Sequence, residues 1–272
     1  MIALLLGLTA AGGATAQKAP LLDDRFTLSA GGYLLQTDLR ARLDGRSLRN
    51  PNVDFDEDLG VGKDASGYRI DGLWRITPRH HLQFMYFDNS NDSRRTISED
   101  IRWGDTTYQA GATIDAEAKF KIFQLAFEYA FLRSRSCEIA GTIGEHYIDL
   151  SLKLAGTASI VDSNGNVVSR QFESRQSSVP APLPVFGLRG RWEMAPDFYL
   201  DGLAQYFRVS VDILDGALYD LRAGGTYMFT QNFGVGLGYN HFKTTVDVSR
   251  SAFNGRVELG YSGLMLYLTG SL

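Results

Sequence analysis

Four histidines, one cysteine and a dense acidic run are the residues of this chain whose types and spacing suggest chemistry. The histidines are His80, His81, His146 and His241. Hydrolytic or proteolytic chemistry needs a histidine within hydrogen-bond reach of an acid, or of a serine and an acid. His146 stands before Asp149 and Ser151 in a segment of alternating polarity. Successive side chains of a strand point to opposite faces, so Asp149 and Ser151 share one face and His146 takes the other. These three therefore do not make a triad. His80 and His81 fall in a tight turn beside Pro78 and Arg79. His241 has Asn240 and Lys243 as neighbours and no acid close in sequence. Each histidine is read as interfacial or solvated, and no catalytic residue is assigned unless other strands supply partners.

The run Asp54-Phe55-Asp56-Glu57-Asp58 gathers carboxylates densely enough for a divalent cation, yet its spacing fits no calcium-loop pattern. A solvated acidic loop is the expectation, with no metal and no cofactor. Cys137 is the single cysteine, so it has no partner for an internal disulfide. A net charge of -4 over 272 residues offers no basic surface for nucleic acid.

The elements that must position these residues are strands. From about Phe186 to Leu272, apolar and polar residues alternate in segment after segment, as in Tyr219-Asp220-Leu221-Arg222-Ala223. Period-two alternation is the mark of a strand with one apolar and one polar face. Ten such strands are expected, at about 25–41, 64–77, 81–98, 112–132, 137–159, 183–194, 198–212, 216–230, 233–248 and 255–272, with eight or twelve as the neighbouring even counts. Most are longer than the roughly 5–6 residues of an ordinary strand and match the roughly 9–11 that cross a bilayer. Short turns at Pro78–His80, Arg133–Ser136, Ala195–Asp197 and Thr230–Asn232 alternate with longer connections at Asp44–Lys63, Glu99–Gly111 and Val161–Pro180. That asymmetry is the polarity of a transmembrane barrel, with short turns on the periplasmic side. Residues 1–16 form an apolar stretch ending in Ala14-Thr15-Ala16, read as a signal peptide. Residues 17–24 read as a linker and 25–272 as the barrel. The fold class is thus an all-β, antiparallel up-and-down transmembrane β-barrel.

Alternation also assigns faces. Lipid-facing sets are Tyr68/Ile70/Trp74/Ile76, Leu82/Phe84/Tyr86, Phe123/Leu125/Phe127/Tyr129/Phe131, Ile148/Leu150/Leu152/Leu154, Phe186/Leu188/Trp192, Leu221/Tyr227/Phe229 and Phe233/Val235/Leu237/Tyr239. Trp74, Phe131, Trp192, Phe229 and Phe233 lie beside short turns, where an interfacial aromatic girdle belongs. In the last strand Val257/Leu259/Tyr261 and Leu264/Leu266/Leu268 have opposite parity, and a bulge near Ser262-Gly263 would merge them into one face. The lumen is expected to hold a compensated charge network: Arg69, Asp71, Arg75, Glu128, Glu145, Asp149, Lys153, Arg189, Arg191, Asp201, Asp220, Arg222, Arg256 and Glu258. Glycines 234, 236 and 238 are expected to face inward opposite bulky partners such as Arg222 or Arg256.

The leader, the alternating strands and the aromatic-flanked turns resemble the small outer-membrane β-barrel proteins of Gram-negative bacteria. The resemblance covers the whole mature chain as architecture, with no subfamily signature. It implies residence in the bacterial outer membrane, contact with its lipid and lipopolysaccharide, and recognition of the terminal strand Tyr261–Leu272 by the barrel-assembly machinery. That family usually ends in an aromatic residue, where this chain has Leu272. The leading functional expectation is a structural or interaction role, with a charge-compensated interior and working surface loops. A narrow passive channel for ions or small solutes is the alternative. An outer-membrane protease or lipid A-modifying hydrolase is the third, and would require His146 or His241. The ligand is unknown.

Overall fold

The structure, a computed structural model, describes residues 21–44, 49–61, 65–104, 106–161, 167–211, 214–249 and 254–272. The leader at 1–16, residues 17–20 of the linker and the turn at 162–166 lie outside the described residues. Thirteen strands are present among them: β1 (Phe26–Leu43), β2 (Val53–Asp54), β3 (Ala65–Arg75), β4 (His80–Thr96), β5 (Ile101–Trp103), β6 (Thr106–Tyr108), β7 (Thr113–Arg133), β8 (Cys137–Val161), β9 (Val167–Ala195), β10 (Phe198–Val211), β11 (Leu214–Met228), β12 (Phe233–Ser249) and β13 (Asn254–Ser271). Ten of them form a closed antiparallel barrel in the order β1-β3-β4-β7-β8-β9-β10-β11-β12-β13. The barrel closes by pairing β1 with β13, from Thr27 opposite Ser271 to Leu43 opposite Gly255. Closure leaves no sheet edge at membrane depth, which a bilayer requires because lipid offers no hydrogen-bond partners. β2, β5 and β6 belong to the outer connections.

The strands outrun the membrane. β7 has 21 residues and β8 has 25, about twice what a crossing needs. On β7 the outward side chains are Phe123, Leu125, Phe127, Tyr129 and Phe131 in one half, then Asp115, Glu117, Lys119 and Lys121 in the other. The inward face does the opposite: Gln124 and Glu128 in the first half, Ile114, Ala116, Ala118, Phe120 and Ile122 in the second. Outside the lipid the exterior meets water and the interior becomes the dry side, so the polarity of the two faces exchanges while the parity of the strand continues.

That exchange corrects several expectations. Ile148, Leu150, Leu152 and Leu154 face the interior and are buried. Glu145, Asp149 and Lys153 stand on the opposite, outward face of β8, with exposed Ile143 and Tyr147. Arg256 and Glu258 are likewise outward on β13, where Arg256 pairs with Asp247 and Glu258. β13 needs no bulge: its registers with β1 and β12 run unbroken through Ser262 and Gly263. Val257, Leu259 and Tyr261 fill the dry upper interior, and Leu264, Leu266 and Leu268 face lipid. The inward glycines of β12 meet apolar and aromatic neighbours, not arginines. Gly234 lies under Met228, and Gly236 lies under the ring of Tyr267, its register partner.

The upper interior is packed with rings. Tyr261 stacks between Phe87 and Phe242, with ring centroids 4.9 Å apart on both sides. The connections at 49–61 and 97–112 fold over this stack. They bury Phe55, Leu59, Ile97, Trp103 and Tyr108, and Phe55 meets Trp103 edge to face at 5.5 Å. The acidic run is therefore a tight turn that dips Phe55 into the core. Asp54 receives the backbone N–H groups of Asp56 and Glu57 and the Nε of Arg40.

Residues 21–24 are no free linker. Leu21 and Leu22 are buried with Tyr199 and Met228 at the periplasmic mouth. The Leu21 N–H donates to the Tyr199 hydroxyl at 3.1 Å, and Arg133 binds both the Leu22 carbonyl and Asp23.

Candidate functional site

Between the ring stack and the N-terminal segment lies a polar layer at membrane height. It is built by the inward positions of nearly every wall strand, and its side chains fall into two groups.

The group nearer the periplasm joins Arg75 and His81 with Glu128, Glu138 and Arg189. Arg75 donates to Glu138 at 2.7 Å and Arg189 to Glu128 at 2.9 Å. Arg75 Nη1 also lies 2.6 Å from His81 Nε2. A guanidinium only donates, so Nε2 accepts and the ring proton sits on Nδ1, which faces Glu128 at 3.5 Å. His81 and Glu128 are sealed from solvent.

The upper group centres on Asp220. Arg222 binds it through two nitrogens, Asn240 donates to it at 2.9 Å, and His146 Nε2 lies 3.4 Å away. Arg222 also donates to Gln124 at 2.8 Å, and Gln124 passes a hydrogen bond to Gln205 and on to Thr142. Asp71 bridges Arg69 and Arg222, while Arg69 reaches the Tyr33 hydroxyl at 2.9 Å. Buried charges at this depth are tolerated when paired and hydrogen-bonded.

Of the expected lumen residues, Arg69, Asp71, Arg75, Glu128, Arg189, Arg191, Asp201, Asp220 and Arg222 lie in this layer. Glu145, Asp149, Lys153, Arg256 and Glu258 do not. Sequence reasoning missed His81, Glu138 and His146. The signal was parity: His81 alternates against lipid-facing Leu82, Phe84 and Tyr86, and His146 against outward Tyr147. Trp74, Phe131, Trp192, Phe229 and Phe233 are exposed on the outer wall beside the short turns. A second aromatic ring crosses the wall higher up, where Tyr86, Phe123 and Tyr147 are register neighbours and Phe186, Tyr206 and Tyr219 continue it. The two rings bound the apolar band.

None of the four histidines stands at the extracellular mouth. His80 is at the periplasmic turn, hydrogen-bonded to Thr77. His81 and His146 are enclosed. His241 is outward, opposite Ser262 in the β12–β13 register and two residues above exposed Tyr239. At the periplasmic mouth, burial of Asp24 holds its carboxyl above the ordinary carboxylate range, opposed by the nearby Ser271 hydroxyl and by the charges of Arg191 and Arg75.

No known protein-family description matches the sequence, and no curated protein matches it. Solved structures do. The outer membrane protease OmpT of Escherichia coli is similar with a TM-score of 0.58 at 12% identity, over 95% of this chain and 100% of that one. The toluene transporter TodX of P. putida matches with a TM-score of 0.36 at 8% identity, over 93% and 90%. Ail, the attachment invasion locus protein of Yersinia pestis, matches with a TM-score of 0.32 at 11% identity, over 90% and 98%. At these identities the likeness concerns the fold. The chain shares the closed barrel fold of the outer membrane protease, and the apolar band between two aromatic rings fits that barrel to a bilayer.

Proposed function

We propose that this protein is a closed barrel whose working surface lies outside the membrane, in a structural or interaction role. The observation that carries this reading is the ring stack of Phe87, Tyr261 and Phe242 across the upper interior, roofed by Phe55 and Trp103. A water path needs continuous polar or open space, and this layer is dry and filled. At the other end Leu21 and Leu22 pack against Tyr199 and Met228. The strands meanwhile continue well beyond the lipid band and lift the outer connections on a rigid wall, with β9 the longest at 29 residues. Exposed loops on a fixed scaffold carry much of the functional variation of such folds.

Single-channel recording of the refolded mature chain in a planar bilayer tests this reading. A silent bilayer, with insertion shown independently, is the expected result. Steady discrete steps would establish a passive channel and overturn it.

A lipid-processing role has one observation in its favour, the outward pair His241 and Ser262 at the upper edge of the lipid band. No hydrogen bond joins the two, and Asp38, the nearby acid, contacts Arg40. Lipid A from cells producing the protein or its His241→Ala variant decides it. Identical mass spectra would remove the lipid-processing reading.

A further inference from the structure

The polar layer lines a partly open chamber of about 100 Å³. Measured as space for water centres, one water needs roughly 10–15 Å³, so the chamber has room for several waters or for a small anion with waters beside it. Leu21 forms part of its floor, and the ring stack separates it from the extracellular side.

Four guanidiniums line this space, Arg69, Arg189, Arg191 and Arg222, against two carboxylates, Asp71 and Asp201. Three of the arginines have a carboxylate in contact: Arg69 has Asp71, Arg189 has Glu128 and Arg222 has Asp220. Arg191 differs. No carboxylate among the described residues touches it, and its Nη1, like Arg69 Nε and Arg222 Nη1 on the same lining, is shut off from solvent and has no hydrogen-bond partner. Asp201 is its register partner across the β9–β10 ladder, but no ion pair joins them among the described residues.

We propose that the chamber binds a small inorganic anion of chloride size, with Arg191 as its principal ligand. A guanidinium with no carboxylate in contact is poorly compensated at this depth, and an unfilled donor adds to that. An anion in the chamber supplies both the acceptor and the charge. Water supplies only the acceptor: with Glu128 and Asp220 counted beside Asp71 and Asp201 the four guanidiniums are matched in number, and what an anion adds is a charge in contact with Arg191. The lining holds more donors than acceptors, which selects against a cation. This site is independent of the proposed surface role: a closed barrel could hold the ion or lack it.

The test uses the refolded chain in detergent, with sodium chloride replacing sodium gluconate at constant ionic strength. Gluconate is the bulky reference anion. The unfolding temperature should climb with chloride and saturate, with bromide acting as chloride does. Arg191→Gln should abolish the halide-dependent rise, and Arg208→Gln, on the outer face, should keep it. If Arg191→Gln does not fold, Arg191→Lys keeps the charge with fewer donors and should shift the saturation to higher chloride. Crystals grown in bromide should give an anomalous peak in the chamber. Equal unfolding temperatures in chloride and gluconate, a rise unaffected by both Arg191 variants, or a chamber holding only water would overturn the proposal.

Discussion

Asp220 and Arg222, two residues apart on β11, close a two-point ion pair inside the barrel. Arg222 Nε donates to Oδ1 at 3.0 Å and Nη2 reaches Oδ2. Same-face neighbours on one strand stand about two rises apart, and the arginine folds back along the wall to meet the acid. The pair leaves Asp220 with capacity for Asn240 and His146, and leaves Arg222 with a hydrogen for Gln124. It thereby ties β11 to β7, β8 and β12 at the level where the dry upper core begins.

Arg222→Met should destabilise the barrel far more than Arg208→Met. Removing one partner of a buried pair leaves the other charge uncompensated, a loss of roughly 3–5 kcal/mol. Arg208 is exposed on the outer face of β10, where a substitution changes stability by about 0.5 kcal/mol or less. Urea unfolding in detergent micelles, followed by the heat-dependent gel shift typical of barrels, reads both variants. Equal midpoints would contradict the network described for Asp220.

The barrel and its ten wall strands were legible because alternation is a local property of the chain. Which face met lipid was legible only where the strand lay in the membrane. The missing step is visible in pairs of adjacent bulky residues: Leu34-Leu35, Tyr86-Phe87, Ile122-Phe123, Tyr147-Ile148, Val185-Phe186, Tyr206-Phe207 and Leu218-Tyr219. In each, one member is the last outward residue of the lipid band and the other the first inward residue of the dry upper core. Reading Ile148 to Leu154 as lipid-facing carried the membrane rule past Tyr147, where it no longer applied. The same oversight made the last strand look bulged. The roof was illegible for another reason. Phe55 and Trp103 sit in connections without periodicity, and only the closed wall beneath them makes the interior their dry side.

A second feature was written in the sequence without being read. Pro180, Pro182 and Pro184 share the parity of Phe186, so their missing N–H groups lie along one edge of β9. The β9–β10 ladder ends at Phe186 opposite Tyr206, and β9 continues beside β8 alone. The prolines stop β10 from following and leave the long β9 edge poor in donors for another strand.

On the inner face, among the described glycines, Gly236 is the position where the wall approaches an aromatic ring most closely. A Cβ there would stand 2.2 Å from Cζ of Tyr267, whose hydroxyl is held by Thr226 at 2.8 Å. Gly236→Ala forces that ring aside and should destabilise the barrel by roughly 1–3 kcal/mol. Tyr267→Ala removes the obstacle, so the double variant should be more stable than the sum of the two single losses predicts. Additive losses in urea unfolding would mean that the ring moves freely and that the close packing contributes nothing.

Docking of the N-terminal segment should depend on pH through Asp24. Its carboxyl is raised by burial in the folded state, so the docked form binds a proton more tightly than the released form, whose value is near the ordinary 3.9 or so. A raised acid contributes stability at low pH and loses it as pH rises through the folded value. The segment should therefore be better protected from proteolysis at about pH 4 than at pH 8, and the change should begin just above the ordinary carboxylate range. Asp24→Asn cannot ionise and should hold the protected state across that window. Arg133 grips Leu22 and Asp23 from the other side whether or not Asp24 carries a proton. Protection that rises with pH in the parent chain, or that varies equally in Asp24→Asn, would assign the docking to Arg133 and its partners and not to Asp24.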